Sequence, residues 1–189
     1  MAREFELKYA AKPEILEKIR EKFSGFEEIS METTYFDTED GALSARYITL
    51  RSRRENGSCI CTLKTPGEGH GRGEWDAHAL WCEETVAKLW EESGENAVDF
   101  ADLHSVCGAR FTRWAARLEM PDCAVELALD SGVLLGGGRE LPLCEVEVEL
   151  KSGSEEAAVQ WAQALAAEFG LSPERRSKFR RASDLAKGE

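Results

Sequence analysis

The chain has 189 residues, 42% hydrophobic and 32% charged, with a formal net charge of −12. No apolar run approaches the roughly 18 residues of a membrane span, and the N-terminal segment Met1–Glu6 lacks a signal-peptide apolar region, so the expectation is a cytoplasmic protein with no membrane partner. So acidic a chain is a poor match for nucleic acid, whose backbone calls for a basic surface, but it can still take a small anion if its basic residues are gathered in one place.

The length favours a single domain, residues 1–189. A period-2 stretch at Arg3–Tyr9 sets Glu4, Glu6 and Lys8 opposite Phe5, Leu7 and Tyr9. Pro13–Phe23 follows as an amphipathic helix, with Ile15, Ile19 and Phe23 at spacing four and Pro13 at a first helical position. Glu32–Asp37 is a Thr- and aromatic-rich strand, and Tyr47–Arg54 puts Arg51 and Arg53 on one face. Ser58–Thr65 puts Ile60, Thr62 and Lys64 opposite Cys59, Cys61 and Leu63, and Arg72–Leu80 aligns Arg72, Glu74, Asp76 and His78. Glu83–Ser93 reads as a helix. Three more strands come next: Ala109–Leu118 with Arg113, Ala124–Asp130 with Glu126 and Asp130, and Leu143–Lys151 with Glu145, Glu147 and Glu149. Ser154–Phe169 is a helix with Ser154 as its N-cap, and Pro173–Ala186 is predicted as the last helix. The six cysteines form no CxxC pair and read as small buried hydrophobes in a reducing compartment.

The polar faces of these strands are unusual, because they carry charge where solvated strands carry Thr and Ser. Glu145, Glu147 and Glu149 lie about 7 Å apart along one face. Such repulsion is relieved either by solvent along an acidic edge or by a hard divalent cation, which takes oxygen ligands. Arg51 and Arg53 need anions in turn, from cross-strand carboxylates or from a phosphate chain. If the sheet closes, the charged faces line the lumen and helices cover the apolar outside. The expected fold is therefore mainly β with flanking helices: an eight-stranded antiparallel barrel, or tunnel, with a charged lumen.

Short motifs in chain order carry a resemblance. Glu4-x-Glu6-x-Lys8, Tyr35-Phe36-Asp37-Thr38, Leu50-Arg51-Ser52-Arg53, Thr62-Leu63-Lys64, Arg72-Gly73-Glu74-Trp75-Asp76 and Glu147-Val148-Glu149-Leu150 span most of the chain, followed by Ser177-Lys178. Together they resemble the CYTH, or triphosphate tunnel metalloenzyme, superfamily, with the late region most similar to its bacterial inorganic triphosphatase branch. Asp76 stands where the family motif has a second Glu. Phe111 stands where some relatives have a lysine ahead of Arg113; Arg110 or Arg117 is the available substitute, with Arg110 expected to point the other way.

The resemblance implies metal-assisted hydrolysis of a small-molecule triphosphate by a monomer or homodimer. Glu4, Glu6, Glu147 and Glu149 would hold Mg2+ or Mn2+. Glu6, Lys8, Glu74 and Asp76 would be the catalytic set. Lys8, Arg51, Arg53, Lys64, Arg72, Arg113 and Lys178 would grip phosphate, with Glu126, Asp130 and Glu145 behind them. Inorganic tripolyphosphate is the expected substrate. Thiamine triphosphate, cyclisation of ATP to cyclic AMP, and a non-catalytic polyphosphate-binding module are the alternatives.

Overall fold

The computed structural model describes residues 2–66 and 71–188, and for residues 2–4 and 71–72 the backbone only. His70 and the side chains of Glu4 and Arg72 lie outside the described set. The elements are β1 (Ala2–Ala10), α1 (Pro13–Lys22), β2 (Glu27–Asp37), α2 (Ala42–Ala45), β3 (Thr49–Glu55), β4 (Ser58–Thr65), β5 (Gly71–Ala77), α3 (Glu83–Ser93), a 3-10 turn (Phe100–Asp102), β6 (His104–Glu119), β7 (Cys123–Gly136), β8 (Arg139–Gly153), α4 (Glu155–Phe169), β9 (Ser172–Pro173) and α5 (Lys178–Lys187).

All pairings are antiparallel, in the order β5-β4-β3-β2-β6-β7-β8-β1. β1 brings the two ends together: Ala2–Phe5 pairs with β5 and Glu6–Ala10 with β8. The short β9 adds to Tyr9 and Ala10. The expected eight-stranded barrel is thus present, with a narrow seam at β1–β5.

The strand alternation is turned inside out relative to a small globular core. Leu50, Cys61 and Leu63 point outward under α2 and α3, where Leu43, Val86, Leu89 and Trp90 cover them. Val125, Leu127, Leu129, Val146 and Val148 point outward under α1 and α4, against Leu16, Ile19, Ala158, Ala162 and Leu165. With two apolar surfaces satisfied by helices, the charged residues are left to the inside. Among the described residues no helix is long and apolar enough to cross a membrane.

Three features depart from the sequence expectation. First, α2 was not foreseen. Asp37, only 3% exposed, builds it by accepting from the backbone N–H groups of Thr38 (2.8 Å), Leu43 (2.8 Å) and Ser44 (3.1 Å) and from the Ser44 hydroxyl (2.5 Å). Second, the last helix starts at Lys178 and not Pro173. Pro173 pairs in β9, and the Ser177 hydroxyl accepts from Arg180 N–H (3.0 Å) as the N-cap.

Third, the lumen is charged over only part of its length. The remainder is an apolar plug of Met31, Ala109, Phe111, Leu134 and Leu143 closed by Ala182 of α5. α5 seats there because Gly136 leaves room: a Cβ on it would lie 2.4 Å from Ala182 O and 2.7 Å from Ala186 N. The Phe179 ring packs on Tyr35 with centroids 5.2 Å apart.

Candidate functional site

The open part of the lumen is a cavity of about 460 Å³. Among the described residues, eight cationic side chains (Lys8, Arg51, Arg53, Lys64, Arg113, Lys151, Arg175 and Lys178) and six acidic ones (Glu6, Glu55, Glu74, Asp76, Glu147 and Glu149) line it, so basic groups are in excess among them.

Register explains how these residues meet. Arg51 stands opposite Thr62, which stands opposite Asp76, in one row across β3, β4 and β5. Lys64 and Glu74 are partners in the adjacent row. On the other wall Lys8 faces Glu147, and Glu6 faces Glu149, which on its far side faces Glu126. The lumen therefore has an acidic wall on β7, β8 and β1 and a largely basic wall on β3 and β4.

On the basic side Glu74 sits between Lys64 (3.1 Å) and Arg51 (3.6 Å), and Asp76 accepts from the Thr62 hydroxyl (2.6 Å). Arg53 is 7% exposed, donates Nε–H to Thr33 Oγ1 (2.9 Å) and reaches Glu55 only at 3.6 Å. Burial first, and then the neighbouring Arg51 and Arg113, pull its pKa down to about 10. Arg51 Nε is buried with no hydrogen-bond partner. These guanidiniums are short of anions.

The acidic side is balanced differently. Arg113 binds Asp130 with two hydrogen bonds (2.8 and 2.7 Å) and also contacts Glu147. Lys178 contacts Asp130 (2.7 Å), Glu147 (2.6 Å) and Glu145, and Arg181 contacts Glu145. Three buried carboxylates thus meet three cations. Burial pushes the Glu147 carboxyl up, but Lys178, Arg113 and Lys8 outweigh it and hold the group well below the usual carboxylate range. Burial likewise pulls Lys178 down, while Asp130, Glu147 and Glu145 more than reverse the effect and raise it.

Most of the sequence-derived candidates converge here. Glu6, Lys8, Arg51, Arg53, Lys64, Glu74, Asp76, Arg113, Glu147, Glu149 and Lys178 all border the cavity. Asp130 and Glu145, both fully buried, lie behind Glu147. Glu126 is joined to Glu149 through Lys151, at 3.6 and 2.8 Å. Arg110 and Arg117 do not replace the cation absent at Phe111, because they are exposed and pair with Glu140 and Glu119. His78 borders the cavity, whereas Trp75, Trp81, Trp90, Trp114 and Trp161 pack with the outer clusters. Sequence reasoning missed Lys151, at the end of the acidic strand, and Arg175, in the approach to α5. Lys151 continues the Glu145–Glu149 alternation and was legible there, but Arg175 has no periodic signal.

The family model for the CYTH domain matches residues 2–183. An inorganic triphosphatase of Haemophilus influenzae is 31% identical over 164 residues, 82% of this chain and 47% of the relative, so the chain spans about half the length of that curated protein. A Hippeastrum protein, described as a candidate adenylyl cyclase with a dominant triphosphatase activity, superimposes with a TM-score of 0.72 at 19% identity, covering 100% of this chain and 97% of its own. A Pyrococcus horikoshii protein gives a TM-score of 0.66 at 24% identity, over 98% and 99% of the two chains. These two solved structures share the fold. With a matched domain over nearly its full length and the same barrel, the chain belongs to the CYTH domain family.

Proposed function

We infer that the cavity binds an inorganic triphosphate and hydrolyses a terminal phosphoanhydride bond, so that tripolyphosphate and water give pyrophosphate and orthophosphate. The observation that carries this reading is the anion shortage around Arg51 and Arg53. Arg53 is buried beside other guanidiniums with its pKa pulled down to about 10, and an incoming phosphate chain relieves that cost. The Haemophilus relative, an inorganic triphosphatase, supports the same choice.

Lys8, Arg51, Arg53, Lys64 and Arg113 grip phosphate oxygens. Preorganised cations of this kind favour the transition state through its developing charge. Asp76, hydrogen-bonded to Thr62, and Glu74 orient the attacking water. Glu6 and Glu149, in register across β1 and β8, present the hard oxygen donors that suit Mg2+ or Mn2+. Together with Glu147 they would hold such an ion. When bound, a divalent cation supplies charge neutralisation and a lowered pKa for bound water.

The cavity lining also favours a substrate recognised by charge alone. Among the described residues, its aromatic side chains besides His78 are Tyr35 and Phe179, which pack on each other, with Tyr35 3% exposed. That leaves little platform for a nucleobase. The test is incubation of the purified protein with tripolyphosphate, thiamine triphosphate and ATP, each with Mg2+ and with Mn2+, with products identified by phosphorus NMR. The expected result is orthophosphate and pyrophosphate from tripolyphosphate, with ATP cleaved far more slowly. Cyclic AMP from ATP, or no turnover of any substrate, would overturn the reading.

A further inference from the structure

Lys178 opens α5, and its side chain is buried among carboxylates. Its ammonium lies 2.7 Å from Asp130 Oδ2 and 2.6 Å from Glu147 Oε1, and it also contacts Glu145 Oε1. An ammonium has three hydrogens to donate and no acceptor; Glu145 and Glu147 each accept one, and Asp130 stands in ion contact. The Phe111 ring, its centroid 5.2 Å from the nitrogen, covers another side. Although Lys178 borders the cavity, three carboxylates and a ring crowd around its ammonium.

Ligand oxygens of Asp130, Glu145 and Glu147 lie within 4.8 Å of one another, a grouping that a hard cation could bridge. We propose that Lys178 is a positioning residue whose ammonium stands in the place of a divalent cation among Asp130, Glu145 and Glu147, and that it acts on substrate only through Arg113. The link to Arg113 is direct. Asp130 Oδ2 accepts from Arg113 and lies 2.7 Å from the Lys178 ammonium, and Glu147 gives one oxygen to each. With Arg181 on Glu145, the six groups are neutral together, and removing Lys178 leaves one negative charge in excess beside a vacated space. The substrate half of the proposal rests on the phosphate-binding reading above. The cation half does not.

Two measurements test it. In Lys178→Ala, Mn2+ counted by electron paramagnetic resonance without substrate should rise by one ion per chain over wild type. In the charge-balanced pair Lys178→Met with Glu145→Gln it should not rise. An unchanged count in Lys178→Ala, or an equal gain in the balanced pair, overturns the cation half. Pyrophosphate binding is then followed by calorimetry through a double-mutant cycle of Lys178→Met and Arg113→Met. Each single change should weaken binding on the order of tenfold, about 1.4 kcal/mol, and the double variant should be no weaker than Arg113→Met alone. Additive losses would mean that Lys178 touches phosphate itself. If Lys178→Met fails to fold, the balanced pair takes its place in the cycle. Wild-type protein that binds neither pyrophosphate nor tripolyphosphate would sink the proposed function, while the Mn2+ count would still decide the role of Lys178.

Discussion

Asp37 and Glu147 show two opposite uses of a buried carboxylate. Asp37 is spent on the backbone, since its four hydrogen bonds fold α2 and keep it out of the cavity chemistry. Glu147 is spent on cations, and its pKa, pushed up by burial, is held down by Lys178, Arg113 and Lys8. A group whose folded pKa is depressed adds stability that is fully present above its unfolded pKa, about 4.3 for Glu, and is lost as pH falls toward the folded value. Glu147→Gln should therefore cost stability at pH 6, and the gap to wild type should narrow once the pH drops below about 4. Urea denaturation of both proteins across that range checks this, and a gap that widens on acidification would contradict the ion-pair assignment.

At the scale of elements, α5 converts an open tube into a pocket. Its fit depends on Gly136 at the end of β7, where any Cβ meets the backbone of Ala182 and Ala186. Backbone atoms cannot move aside as a flexible side chain can. Gly136→Ala should shift or unseat α5, exposing Ala182 and loosening the Tyr35–Phe179 contact. The expected readout is faster amide exchange through residues 178–187, with the outer helices α1 and α4 unchanged. Exchange equal to wild type throughout would mean that α5 adjusts without cost. The sequence did not reveal this plug, because Ala182 and Phe179 carry no pattern that separates a plug from an ordinary surface helix. Only the partners Met31, Phe111, Leu134 and Leu143 make the distinction.

At the scale of the molecule, a chain of net charge −12 keeps a cavity lined, among the described residues, by eight cations and six acids. On the proposed triphosphatase reading, substrate entry is a local electrostatic event against an unfavourable overall charge, and salt should weaken it. Raising ionic strength from about 0.1 to 1 M shortens the Debye length from about 10 to about 3 Å. KM for tripolyphosphate should rise several-fold over that range, while kcat changes less. Chelating divalent ions should abolish turnover, and Mg2+ or Mn2+ should restore it. A KM indifferent to salt would argue against capture by charge, and turnover in excess chelator would argue against the metal.

What the sequence determined by itself was the alternation. Charged residues at every second position of Glu4–Lys8, Arg51–Arg53, Arg72–Asp76 and Glu145–Glu149 marked both the strands and their charged face, since strand geometry sends i and i+2 to one side wherever the strand lies. The same alternation, with amphipathic helices between, implied apolar faces that needed covering. It could not say which carboxylate belongs to which cation. Glu145, Glu147 and Glu149 look equivalent along β8, yet Lys178 and Arg113 hold Glu147, Lys178 and Arg181 hold Glu145, and Lys151 holds Glu149. Those pairings join residues more than thirty positions apart in the chain, Lys151 excepted, and depend on strand order, register and the seat of α5. Only the closed barrel brings them within hydrogen-bond distance, because ion pairing is decided by separation in space and by burial, and neither is written in local periodicity.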